Sequence, residues 1–539
     1  MAPSTGEEPA RRYGVHPSVA HGGLVKLSAA LLLGAALLPA AAAAEGDPWE
    51  PLRPLVAEAA ALSKTARDAA EHAVSAYGEE AIAALADLVR FRSVHVEGAD
   101  NATSPEFRAM TDYLAGKAAE LGLDFGDHGS VVLIGLGEGP DRVGIVAHAD
   151  VQPADPSKWA SDPFTLDAES EPGRLVGRGA EDDKGPLATA LYAMKAIADT
   201  GEPMTRRIEL IVSYTEESDW APFREFLAGY DPPAINFALD AVYPVVTAEK
   251  GWGEIHVSLP LGDEPPTPGS LVSISGGSFL SQVPEDAAAR IAGASAELEA
   301  VLRAAAAGEH PVTYSVERDG EGLTVRARGV SAHSMDPWEG TNAITHLAGL
   351  LVRLDWPDTA AARMVRWIND LVGTGDFAER FGDLAYEHDF MGRLTLTLAT
   401  VTADDGRLTA NVSFRRPVGR SAEEVEGAIR AAVDGWKERT GTGELELETK
   451  IYDPYLLEDA PHVATLLEVF RQYSGLEDAG PVAIGGGTNA RLLPNGVSFG
   501  PSMPGETYTG HSEHEFITRE QFLLNLKMYT AALAELSLR

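Results

Sequence analysis

Six acid or imidazole side chains follow apolar, strand-like runs. They are His148 and Asp150 in RVGIVAHADVQP, Asp182 in GRGAEDDKGP, Glu216 and Glu217 in IELIVSYTEES, and Asp240 in NFALDAVYP. A seventh candidate, His511, lies in TYTGHSEHEF near the C-terminus. Zinc accepts imidazole nitrogen and carboxylate oxygen. A carboxylate can bridge two ions about 3.5–4 Å apart, and such pairs activate water for hydrolysis. A spare carboxylate beside the ligands can act as general base. Taken singly, EDDK and EES are ordinary solvated charge runs, and a lone histidine at a strand end is more often a hydrogen-bonded structural residue. The ordered set carries the chemistry. The chain has no Cys, which excludes thiolate zinc sites, disulfides and Cys nucleophiles, so any metal falls to His, Asp and Glu.

Converging these residues requires a particular scaffold. Apolar residues recur at helical spacing over 50–92, and Phe107, Met110, Leu114 and Ala118 share one face of a helix at 105–121. Strands are expected at SVVLIGLG, RVGIVAHAD, RRIELIVSYT and NFALDAVYPVV, with a helix from Pro186 to a stop at Gly201. Alternating strands and helices predict an α/β fold, with a mixed, largely parallel sheet covered by helices on both faces. In such sheets the ligand site lies beyond the carboxyl ends of the strands, and His148, Glu216, Glu217 and Asp240 fall at such ends. The segment GWGEIHVSLPLGDEPPTPGS carries a Pro-rich break. From there, strands such as LTVRARGVSAH and RLTLTLATVTAD alternate with helices near 283–307, 340–354 and 421–439, which predicts an inserted α+β lid domain. The expected boundaries are 45–253 and 453–539 for the two parts of the catalytic domain, and 254–452 for the lid. The last part carries a helix at 460–473, a short strand GVSFG and a helix at 518–537.

At 539 residues the chain is long enough for two or three domains. Its net charge of −38, from 81 acidic and 43 basic residues spread along the chain, argues against a basic nucleic-acid-binding face. Residues 24–44 form the single long apolar run, with Arg11 and Arg12 before it, Lys26 at its start and alanines at its end. This reads as a secretory signal peptide occupying 1–44, cleaved near Ala44, rather than an uncleaved anchor. The expected location is periplasmic or secreted, with no membrane association after cleavage.

The segments HADVQP, GRGAEDDKGP, TEES, LDAVYPVVTAEKG, GVSAHSMDPWEGTNA, GGGTNAR and GHSEHEF, in this order, resemble the signatures of the two-zinc aminoacylase/carboxypeptidase G metallopeptidases, and most nearly the PepV-type dipeptidase branch. The resemblance spans roughly residues 75–539. It implies that His148 and Asp240 bind one metal, Glu217 and His511 the other, and that Asp182 bridges both. Asp150 would hold the His148 imidazole, and Glu216 would be the general base. It also implies a cis peptide between Asp182 and Asp183. In the inserted domain, His333 would stabilise the oxyanion and Arg415 would bind the substrate carboxylate, with Arg416 the neighbouring alternative. Gly485, Gly486 and Gly487 would let backbone approach the substrate. The implied cofactor is zinc, two per chain, with manganese or cobalt as substitutes.

Some features stand outside this pattern. His514 rivals His511 as the last ligand, and Glu181 reads as a charge facing solvent. Trp159 and Trp338 sit near the motifs and are read either as pocket walls or as core. His256, His310, His346, His388 and His462 carry no motif. The leading expectation is a zinc-dependent hydrolase of dipeptides, acting as a monomer on small peptides. The alternatives are an N-acyl amino acid deacylase or exocarboxypeptidase of the same fold, and a non-catalytic secreted binding protein. Because every expected ligand position is filled, the last is disfavoured.

Overall fold

The computed structural model describes residues 62–262, 265–506 and 508–538. The expected signal peptide, 1–44, and the start of the expected first helix, 50–61, lie outside the described residues. Among the described residues, no helix is long and apolar enough to cross a membrane.

The strands predicted around the acidic motifs form one nine-stranded mixed sheet. Its centre is parallel: Arg142–His148 lies between Arg207–Ser213 and Ile235–Ala238, and Gly496–Ser498 continues the parallel run. These central strands are apolar on both faces, as a doubly covered sheet requires. Val143, Ile145 and Ala147 join the larger core with Ile208, Leu210 and Val212. The intervening Val146 and Ile211 point the other way, into a smaller core around Phe223 and Leu493. This is the two-residue period of a strand read directly in burial.

On the larger face pack the helices Lys64–Val89, Lys184–Thr200 and Arg519–Ser537. Ser63 caps the first, accepting from the Ala66 N–H. The second ends at Gly201, whose φ of 64° is the left-handed conformation that terminates helices. The opposite face carries the shorter helix Ala221–Gly229, which buries Phe223.

Between the two parts of this domain, an eight-stranded antiparallel sheet runs from Gly251–Pro260 to Glu446–Ile451, with its own apolar core. One expectation fails here. The stretch 283–307 is not a single helix: Asp286–Ile291 is a strand paired with Leu271–Gly276 and Gly322–Arg328, and the helix begins only at Ala296, capped by Ser295. Alanine favours helices, but Ala287, Ala289 and Ile291 alternate into the sheet core while Asp286 and Arg290 face outward. Packing overrides the local propensity.

Candidate active site

Strand register explains why residues distant in sequence meet. His148 ends its strand opposite Ser213, and Val146 stands opposite Ala238. The chain segments leaving Ser213 and Ala238 therefore deliver Glu216, Glu217 and Asp240 to the same edge as His148. Asp182 arrives on the loop before helix Lys184–Thr200, and His511 on the loop before strand Phe516–Thr518. The Asp182–Asp183 peptide is cis, as the resemblance implies.

The two oxygens of Asp182 face different imidazoles. Oδ1 lies 2.9 Å from His148 Nε2, and Oδ2 lies 3.2 Å from His511 Nε2. Asp240 Oδ1 is 3.8 Å from His148 Nε2, and Glu217 Oε2 is 2.9 Å from His511 Nε2. Two donors on one tetrahedral zinc, each about 2.0–2.1 Å from the ion, stand roughly 3.3 Å apart, within the observed spread. His148, Asp182 and Glu217 can bring donor atoms within 4.8 Å of one another, as can His148, Glu216 and Asp240. The site is also short of positive charge. Burial, together with the nearby Asp182 and Glu217, pushes the Asp240 carboxyl up to about 6. Burial and Asp240 push Glu216 well above the ordinary carboxylate range. Despite burial, the surrounding carboxylates raise both His148 and His511. This donor set fits a pair of divalent ions.

Asp150 holds the His148 imidazole and does more besides. The His148 Nδ1 lies 2.9 Å from the Asp150 backbone carbonyl, while the Asp150 carboxylate is 3.5 Å away. That carboxylate accepts the backbone N–H groups of Glu216 and Glu217, at 3.2 and 3.0 Å. Asp150 thus holds the imidazole chiefly through its main chain, and its side chain also fixes the glutamate pair. An Nδ1–H donated to the carbonyl leaves the Nε2 lone pair facing the acids. The Asp183 carboxylate anchors the same histidine by accepting its backbone N–H at 3.0 Å.

Two buried glutamates join the loops that carry Asp182 and His511. Glu515 accepts from Arg178 Nη1 at 2.8 Å and from the N–H groups of Gly179, Glu181 and Asp182 at 2.9–3.0 Å. In return, Glu181 accepts from Ser502 Oγ and from Thr509 and Gly510, just before His511. The reading of Glu181 as a solvent-facing charge is therefore overturned: it is buried, and burial pushes its carboxyl up to about 7. His511 holds a positive φ of 63°, uncommon for a non-glycine residue, in the turn these contacts fix. His514 is exposed and paired with Glu171, outside the cluster.

The inserted domain completes a cavity of about 670 Å³ over this cluster. His333 lines it, with its ring 5.7 Å from that of His511. Burial, His511 and Arg415 hold His333 well below the ordinary imidazole value, so the ring is neutral. Its Nδ1 accepts the Met335 N–H at 3.1 Å, which places the proton on Nε2. Arg415 also lines the cavity, buried, and among the described residues no partner reaches its Nε. Burial lowers it to about 10. The neighbouring Arg416 is instead consumed by the Tyr452 and Arg420 carbonyls and by Asp453.

Gly486 and Gly487 line the cavity, but Gly485 does not. A Cβ there would lie 2.8 Å from Met335 Cβ, so this glycine admits the lid loop rather than the substrate. Trp159 and Trp338 turn away: the first donates to Glu513 and the second stacks on Phe377. Trp220, Trp252, Lys250, Tyr452 and Tyr508 line the cavity and were not singled out from sequence. Tyr508, whose hydroxyl donates to Asp182 Oδ2, sits three residues before His511 and was open to notice within that motif.

Residues 144–535 match the description "Peptidase family M20/M25/M40". Among curated proteins, "Putative dipeptidase YtjP" of Bacillus subtilis is 33% identical over 411 residues, covering 74% of this chain and 84% of that protein. "Putative dipeptidase SSP1012" of Staphylococcus saprophyticus is 29% identical over 475 residues, covering 86% and 98%. Among solved structures, human carnosine dipeptidase 1 aligns with a TM-score of 0.54 at 17% identity, over 88% of this chain and 99% of that one. The di-peptidase Dug1p of Saccharomyces cerevisiae aligns at 0.51 and 13%, over 88% and 99%. These two likenesses concern the fold. The family match covers well over half the chain, and with a cluster of acids and imidazoles suited to metal at the carboxyl edge of its sheet, this chain belongs to the M20/M25/M40 peptidases.

Proposed function

We propose that the chain is a two-zinc dipeptidase with a glutamate general base. The observation that carries this reading is the bridging geometry of Asp182, whose two oxygens face His148 and His511 separately. His148 and Asp240 would hold one ion and Glu217 and His511 the other. Bound there, the ions would polarise the scissile carbonyl and acidify water.

The rest falls to side chains. Glu216 takes the proton from the attacking water and returns it to the leaving amine. Its raised affinity for a proton suits that exchange, and its Oε1 is buried with no hydrogen-bond partner among the described residues. The neutral His333 presents Nε2–H to the oxyanion as charge develops. Arg415 receives the substrate carboxylate in its fork of donors. His333 and Arg415 come from the same chain as the metal ligands, which supports a monomer complete in itself. The names of the relatives support a dipeptide substrate.

The test compares Ala-Ala with N-acetyl-Ala at identical zinc loading. Faster hydrolysis of the dipeptide is expected; faster hydrolysis of the acylated amino acid would move the chain to the deacylase alternative. We also propose export, on the apolar run 24–44. A mature N-terminus near Glu45 in native-host material is the expected finding, and an intact Met1 in cytoplasmic protein would refute it.

A further inference from the structure

Strand pairing in the inserted domain sets two aromatic rings beside Arg415. Its strand, Arg407–Arg416, pairs with Gly251–Pro260 on one side and Thr395–Asp404 on the other. Arg415 stands opposite Trp252 on the first and Thr395 on the second. Directly opposed residues project from one face with Cβ atoms about 4.5–5.5 Å apart. Thr395 is short and fully buried, so that flank is closed. Trp252 lines the cavity and stacks on Tyr452, with ring centroids 5.3 Å apart and planes 3° from parallel. The main chain fixes the pair: the Tyr452 N–H donates to the Trp252 carbonyl at 2.8 Å, and the Tyr452 carbonyl accepts from Arg416 Nε at 3.0 Å. Tyr452 is 47% exposed, an uncovered apolar surface on the cavity wall. No step of the proposed hydrolysis uses either ring.

We propose that Trp252 and Tyr452 form the subsite for the side chain of the substrate's C-terminal residue, and that this subsite selects aromatic or bulky apolar side chains. The inference rests on the dipeptidase reading, in which Arg415 takes the carboxylate. The α-carbon is one bond from that carboxylate, so its side chain lies close to Arg415. Thr395 closes one flank, and the other opens onto the stacked rings. An aromatic side chain there gains ring contact and displaces water from apolar surface, whereas glycine leaves the rings wet.

The test measures kcat/KM of the zinc-loaded full chain on Ala-Phe, Ala-Leu and Ala-Gly. Ala-Phe is expected to exceed Ala-Gly by about tenfold, the scale of one aromatic contact with its burial. That ratio should fall at least about threefold in Trp252→Ala and survive in Trp252→Phe. Tyr452→Ala, at an exposed position outside the core, should lower it in the same direction and guards against a folding defect at Trp252. A wild-type ratio near one, or a ratio untouched by both alanine variants, would overturn the subsite while leaving dipeptide hydrolysis standing. Failure of the zinc-loaded wild type to cleave any dipeptide would remove the underlying function and the subsite together.

Discussion

Replacing Arg415 by Ala should cost about two decades of kcat/KM on a dipeptide with a free carboxylate. The size follows from the state of the guanidinium before substrate arrives. Burial lowers Arg415 from the ordinary guanidinium value to about 10, and the opposing charge of Asp336 does not restore it. A displacement of that size corresponds to on the order of 3 kcal/mol of unfavourable charging in the free protein. A substrate carboxylate supplies the missing counter-charge and recovers much of it. Three kcal/mol is roughly two powers of ten in rate. The assay is paired: Ala-Ala and its C-terminal amide, wild type against Arg415→Ala, at equal zinc content. The free acid should lose about 100-fold, and the amide, which offers no charge, less than about threefold. The thermal midpoint of the ligand-free variant should not fall, because the buried charge it loses is uncompensated. Equal losses on acid and amide would refute the electrostatic argument and leave Arg415 a packing residue.

Glu216→Gln should keep zinc and fold but lose about 10²–10⁴ in kcat, since the amide cannot take the proton; loss of zinc in step with activity would make Glu216 a ligand instead. Glu515→Gln should weaken zinc about 10- to 100-fold, as expected when a group supporting the ligands is lost, and calorimetric zinc titration reads this without reference to turnover; wild-type affinity would show that the Asp182 loop holds its own shape. Glu249 is buried with Arg491 Nη1 3.7 Å from its Oε2, and burial, only partly offset by Arg491 and Thr488, pushes its carboxyl from 4.5 up to about 7. Because the folded state binds the proton more tightly than the unfolded chain, stability should fall as pH rises from about 4.5 to about 7, by an amount on the order of 3 kcal/mol. Glu249→Gln should flatten that part of the denaturation profile, and an unchanged slope would contradict the assignment.

The parts legible in sequence were those written locally. His148, Glu216, Glu217 and Asp240 each sit just past an apolar run, and the strand-end rule for α/β sheets places such residues together without knowledge of the register. The bridging role proposed for Asp182 came from its motif's resemblance to a known family, not from spacing. What escaped depended on contacts between remote segments. The mutual grip of Glu181 and Glu515 joins loops some 330 residues apart, and from sequence Glu181 looks like one more acid in a charged run. Trp252 gains its place only through its register with Arg415. The strand Asp286–Ile291 hides behind helix-forming alanines until its neighbours fix the two-residue alternation. Asp150 shows a finer limit: its position was legible, but the division of labour between its carbonyl and carboxylate was not.

The claim that Asp182 joins two metal sites is tested most directly by counting metal. Elemental analysis of purified protein, after removal of loosely bound ions, should find about two zinc per chain in the wild type, as a shared-carboxylate centre requires. Asp182→Ala should hold well under one, because both sites lose a ligand together. Dipeptide hydrolysis at full rate by wild-type protein stripped below one metal per chain, or two zinc retained by Asp182→Ala, would contradict the account.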